Sequence, residues 1–225
     1  MVKPRMVETN QGIQGNFTVA IYDQMQRAFR DRGWIETGEL LKYGITQGYA
    51  LEVGPGPGYL GLEWLKRTQG TRLQGLDISP DMIALAEKNA REYGLSDRVE
   101  YVCSNATTMP FDDAAFDAVF TNGSLHEWAD PRAIFDEIGR VLKPGGRVFI
   151  SDLRRDVIAP ARWFLWLGTS PKEIRPGLIT SLNAAYTPDE LPALIKGTQL
   201  AFCAVSSNLI GLTLFGIKPG LDSRS

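Results

Sequence analysis

The stretch Leu51–Gly61, LEVGPGPGYLG, sets the architecture. A short apolar run, Tyr49–Val53, ends in glycines, and Tyr59–Thr68 (YLGLEWLKRT) then places Leu60, Leu62, Trp64 and Leu65 at helical spacing. A strand, a glycine-rich turn and a helix in that order predict the first unit of an open α/β sheet. Such sheets take ligands at the carboxyl ends of their strands. The glycines permit a tight turn and close approach to a ligand.

The unit repeats outward along the chain. Arg72–Asp77 reads as a second strand. Ser79-Pro80-Asp81 then reads as a helix start, with Ser as the cap, Pro in the first turn and Asp at the positive end of the dipole; that helix runs to Gly94. Val99–Ser104 and Phe116–Thr121 are β-rich runs, and Pro131–Leu142 is an amphipathic helix stopped by Lys143-Pro144-Gly145-Gly146. Arg147–Asp152 is the next strand, followed later by a helix at Pro188–Lys196. Strands alternating with helices predict a doubly wound, mostly parallel sheet. Leu200–Ser207 and Leu209–Lys218 then predict an antiparallel hairpin at its edge. The uncharged stretch from Gly197 to Ile217 is long enough to span a bilayer, but Ser206-Ser207-Asn208 and two internal glycines break it into that hairpin. Phe17–Gly33 reads as a helix, and Leu153–Tyr186 as an irregular, aromatic-rich segment.

Composition narrows the function classes. The 225 residues hold 24 Lys+Arg against 26 Asp+Glu, with 44% hydrophobic and 22% charged residues, as in a globular protein. No basic stripe recruits nucleic acid. One histidine and two cysteines a hundred positions apart, Cys103 and Cys203, cannot build a structural zinc site or a disulfide framework. Both cysteines read as small buried hydrophobes in strands. The expected compartment is the reducing cytoplasm, with no signal peptide and no membrane partner.

The loop also selects its ligand. A dinucleotide fingerprint requires glycine at the sixth position, where Tyr59 stands; the spacing here is Gly54-x-Gly56-x-Gly58. Pro55 and Pro57 have no N–H, so the loop surrenders two donors that a pyrophosphate needs. It suits a nucleoside ligand without phosphate. Glu52 can hold a cationic group, and Asp77, 21 residues after Gly56, is placed to hydrogen-bond ribose hydroxyls. The bland alternative is a simple turn with Asp77 capping the following helix.

Four stretches carry a family resemblance: LEVGPGPGYLG, GLDIS at Gly75–Ser79, SNATTMPFDDAAFDAVFTNGSLHEW at Ser104–Trp128, and RVLKPGGRVFISD at Arg140–Asp152. From Leu40 to Lys218 the chain resembles the class I S-adenosylmethionine-dependent methyltransferases, in their small free-standing, type 11-like group. The resemblance implies a seven-stranded Rossmann-like sheet with S-adenosyl-L-methionine as cofactor. Gly54, Pro55, Gly56 and Gly58 would then line the methionine and ribose side, supported by Glu52. Asp77 would bind ribose, Ile78 would pack on adenine, and Asn105-Ala106 would read the adenine edge. Asn105 there keeps an acceptor for the adenine amine. Thr121-Asn122 would face the methionine end.

Methyl transfer from a sulfonium is an in-line displacement that needs alignment more than proton transfer. His126 reads either as a general base or as a residue structuring its loop, with Glu127 solvated beside it. Arg154 and Arg155 either receive an anionic acceptor or pair with Asp156. Tyr186 either reaches back over the site or packs. Trp163, Phe164 and Trp166 form an apolar cap over the acceptor, a packed helix or a dimer contact. Phe17, Tyr22 and Met25 read as a lid. The expected organisation is one domain: a lid at 1–38, a core at 39–152, an acceptor-side cap at 153–187, and a closing helix and hairpin at 188–218. The expected partner is a small-molecule acceptor, with the chain a monomer or homodimer. A nicotinamide oxidoreductase and a non-catalytic cofactor-binding protein are the rival readings.

Overall fold

A computed structural model of the chain describes residues 4–6 and 13–220. Its centre is one seven-stranded sheet: β1 (Tyr49–Val53), β2 (Arg72–Asp77), β3 (Val99–Cys103), β4 (Phe116–Asn122), β5 (Leu142–Leu153), β6 (Ala204–Ser207) and β7 (Gly211–Ile217). The order is β3-β2-β1-β4-β5-β7-β6. The first five strands run parallel, whereas β7 is antiparallel to both β5 and β6. The strand order reverses between β1 and β2 on one side and β4 on the other, which opens a crevice at the carboxyl ends of these strands.

Alternation along β1 shows why the sheet needs covering on both faces. Leu51 and Val53 enter one core with Phe116, Val119 and Phe135, while Ala50 enters the other with Leu62, Trp64, Phe120 and Phe149. The first core is closed by α5 (Pro131–Val141) and α8 (Leu191–Ile195). The second is closed by α2 (Thr37–Lys42), α3 (Tyr59–Arg67) and α4 (Pro80–Tyr93). Trp64 keeps its indole satisfied there by donating to the Ile45 carbonyl at 2.8 Å. Ser79 caps α4 as its sequence implies, its Oγ accepting from Met82 N–H at 3.2 Å.

Several elements differ from the sequence reading. The segment read as irregular contains α6 (Ala159–Gly168) and α7 (Arg175–Ala184). Pro160 and Pro176 lie in their first turns, where a missing N–H costs nothing. Strand β5 starts at Leu142, five residues early, because Lys143–Gly146 bulges out opposite Asp117 without ending the pairing. The hairpin's first strand starts only at Ala204, since Leu200–Cys203 closes a turn. Cys103 is exposed at the end of an edge strand, although Cys203 is buried. The uncharged 197–217 stretch is a turn and hairpin, and no helix of the described residues is long and apolar enough to cross a membrane.

Phe135 of α5 is fully buried in the first core. Phe135→Ala is expected to cost about 3–5 kcal/mol, measured as a lower urea midpoint at unchanged m-value.

Candidate functional site

The glycine loop is held open by backbone conformations that only glycine adopts readily. Gly54, Gly56 and Gly58 have φ of 66°, 51° and 84°. A Cβ on Gly54 would lie 2.9 Å from Ser124 Cβ, and one on Gly58 would lie 2.6 Å from the Tyr101 hydroxyl. Asp77 fixes the loop from the neighbouring strand. Its Oδ2 accepts from Gly56 N–H at 3.1 Å, and its Oδ1 accepts from Ser79 N–H at 2.9 Å. Burial pushes the Asp77 carboxyl above its ordinary value, against the N–H groups of Ser79, Gly56 and Ile78, which favour the charge.

Above this loop lies a cavity of about 240 Å³. Gly54, Gly56, Asp77, Ile78, Asn105 and Ala106 all line it, brought together from the ends of β1, β2 and β3. The Asn105 Oδ1 accepts from both the backbone N–H and the hydroxyl of Thr107, each at 2.9 Å. A smaller cavity of about 50 Å³ adjoins it, lined by Glu52, Pro55, Asn122 and Tyr22. Gly58 lines neither cavity; it is the left-handed cap of α3.

Helix α1 (Asn16–Asp31) lies against both cavities through Tyr22, which sits 3.5 Å from where a Gly56 Cβ would be. Asp23 fastens the helix by accepting from the Tyr59 hydroxyl at 2.8 Å, and it also pairs within the helix with Arg27 Nε at 2.8 Å. Burial and the Glu127 carboxylate push the Tyr22 phenol well above its usual range. Met25 of the expected lid lies outside both linings, and the Phe17 side chain lies outside the described residues.

Glu52 is 2% exposed, and its Oε2 has no hydrogen-bond partner among the described residues. Burial raises its carboxyl to about 8; the Gly61 N–H opposes the rise and the Asp77 charge adds to it. Asn122 donates to Glu36 Oε2 at 3.0 Å and to Ser151 Oγ at 2.8 Å. Glu36, which no periodicity marks in the sequence, is also raised by burial.

His126 is buried in a short turn after β4 and lines neither cavity. Its Nδ1 lies 2.8 Å from Asp152 Oδ1, and its backbone N–H donates to Asp152 Oδ2 at 2.7 Å. Arg5 crosses behind this turn, donating to the His126 carbonyl at 2.9 Å and stacking 4.2 Å from the Tyr186 ring centroid. Glu127, expected to be solvated, lines the larger cavity, because the turn held by Asp152 points it inward. Trp128 and Ser124 join it there, unmarked by the sequence reading.

Arg154 takes the ion pair with Asp156, whereas Arg155 pairs with Glu190 instead. Arg154 is bidentate to Asp156 at 2.7 Å for each bond and also donates to the Asn208 carbonyl. Arg155 is buried against Glu190 and the Ala185 carbonyl. Neither arginine, nor Tyr186, lines a cavity. Among the described residues the two linings hold Glu52, Asp77, Glu127 and Asp130, with no lysine or arginine.

Comparison with known proteins agrees with this geometry. Residues 51–150 match the family described as "Methyltransferase domain". The demethylmenaquinone methyltransferase of Thermus thermophilus is 36% identical over 100 residues, 44% of either chain. The matched regions span between 33% and 62% of the lengths of the first curated relatives. A SAM-dependent methyltransferase structure from Aquifex aeolicus aligns with TM-score 0.63 at 20% identity, covering 82% of this chain and 90% of that one. The geranyl diphosphate C-methyltransferase of Streptomyces coelicolor, solved with S-adenosyl-L-homocysteine, aligns with TM-score 0.61 at 17% identity, covering 81% and 75%. Residues 51–150 are thus similar to the methyltransferase domain of the S-adenosylmethionine-dependent methyltransferases. Their cofactor is S-adenosylmethionine, a cationic nucleoside. The residues present fit it: an acidic lining free of lysine and arginine, a glycine cradle, and a buried unpartnered Glu52 oxygen.

The raised Glu52 carboxyl has a stability consequence. The native group keeps its proton to about pH 8, whereas the unfolded one loses it near 4.5. Its contribution is therefore complete below the unfolded value and is lost as pH rises toward 8. Glu52→Gln, which cannot ionise, is expected to narrow the gap in unfolding free energy between pH 5.5 and pH 8, measured by urea titration.

Proposed function

We propose that the chain transfers a methyl group from S-adenosylmethionine to a small-molecule acceptor. The observation that carries this reading is the charge of the site: the Asp77, Glu127 and Asp130 carboxylates and the protonated Glu52 line the joined cavities around a glycine loop, with no lysine or arginine among the described residues. Such a lining favours a sulfonium nucleoside and repels a pyrophosphate, which counts against the nicotinamide alternative. A small acceptor is supported by a relative whose name specifies demethylmenaquinone.

When bound, the cofactor supplies an activated sulfonium methyl. In this reading Asp77 receives the ribose hydroxyls while keeping the Gly56 and Ser79 N–H groups. Ile78 and Ala106 pack on the adenine, with Asn105 at its edge. Gly54, Pro55, Glu52 and Asn122 hold the methionine end. His126 is a positioning residue: with Asp152 it fixes the turn that carries Glu127 and Trp128 into the cavity. Tyr22 closes the wall common to both cavities and excludes water from the transfer region.

Calorimetry with S-adenosylhomocysteine and with NAD tests the cofactor assignment; binding of NAD and not of the homocysteine product would overturn it. Asp77→Ala is expected to weaken S-adenosylhomocysteine binding by about tenfold or more, the loss of hydrogen bonds to a charged group. A radiolabelled methyl donor incubated with a panel of phenols, quinols and amines tests transfer directly.

A further inference from the structure

Five of the large exposed hydrophobic side chains among the described residues lie on or beside α6. Its inner side is anchored: Ala161 and Leu165 pack with Val157, Leu178 and Leu182. Its outer side is exposed among the described residues. Trp163 is 64% and Phe164 72% exposed, and Ile158, Trp166 and Leu167 extend the same surface. These five side chains are among eleven large exposed hydrophobic ones in the described chain, gathered within ten positions. Apolar surface gathered in this way marks an interaction site.

Charge identifies the partner. From Val157 to Lys172 the chain has Arg162 and Lys172 and no acidic residue. Arg175 follows, its guanidinium 4.3 Å above the Trp166 ring and donating to the carbonyls of Thr169 and Leu167. Over residues 157–184, three cations thus face a single acid, Glu173, in a chain whose net charge is −2. A second copy docking through this face would place like charges on like charges, because a two-fold interface pairs a surface with itself. An anionic bilayer surface is complementary: Trp and Phe settle at headgroup depth, and the flanking cations meet the lipid phosphates. The helix, at 10 residues, lies in such an interface and does not cross it.

We propose that the outer face of α6 docks the protein on anionic lipid bilayers, with Trp163 and Phe164 inserted and Arg162, Lys172 and Arg175 against the headgroups. This proposal is independent of the acceptor's identity. Its test is co-sedimentation of the full chain with vesicles of phosphatidylcholine alone and of phosphatidylcholine with phosphatidylserine. The chain is expected to pellet with the anionic vesicles at low salt and to be released from them at high salt. The double substitution Trp163→Ser, Phe164→Ser is expected to cut pelleting about tenfold while leaving S-adenosylhomocysteine affinity, and hence the fold, unchanged. Failure of the wild-type chain to pellet with either vesicle, or equal pelleting of the double variant, would overturn the proposal. So would a homodimer in sedimentation equilibrium that the double substitution dissociates.

Discussion

The carboxylate of Asp77 joins two pieces of chain, the glycine loop and the start of α4. One oxygen holds the glycine loop through Gly56, and the other holds the turn into α4 through Ser79. Ser79 in turn caps α4 and donates its hydroxyl to the Ile13 carbonyl, so the approach to α1 is tied to the same point. The loop's backbone donors, the start of a helix and the path of the lid therefore share one buried acid. Burying that charge is costly, and the backbone N–H groups around it offset the cost.

Around this hub the molecule separates its charges by role. Acids line the cavities, whereas the arginines at the same sheet edge are occupied elsewhere. Arg154 closes on Asp156, Arg155 on Glu190, and Arg5 on the carbonyls behind the His126 turn. Arg5 braces the turn that carries Trp128 into the larger cavity, and none of the three arginines lines either cavity. The His126–Asp152 contact belongs to the same group of supports, tying the turn after β4 to the end of β5.

The fold was legible in the sequence because its central strands and helices follow their local preferences closely. Pro55, Pro57 and Tyr59 separate this loop from a dinucleotide loop, and Asp77 ends the neighbouring strand. Legibility failed where one residue type has two meanings. Pro80 beside a Ser cap reads as a helix start, but Pro160 and Pro176 among aromatics read as loop, although both begin helices. On α6 the outward face is as apolar as the inward one, so no amphipathic period exists to detect. In the site, Glu127 read as solvated and Glu36, which accepts from Asn122, carried no signal, because turns set their direction. Cys103 looked buried because strand composition does not reveal which strand lies at the edge.

Asn105 carries one further consequence. Both lone pairs of its side-chain oxygen are spent on Thr107, so the group it can turn to a ligand is its amide nitrogen. A carboxylate at this position would offer acceptors to an exocyclic amine; Asn105 offers donors. The polarity of recognition is thereby reversed, and the part of a purine edge that it suits is a bare ring nitrogen.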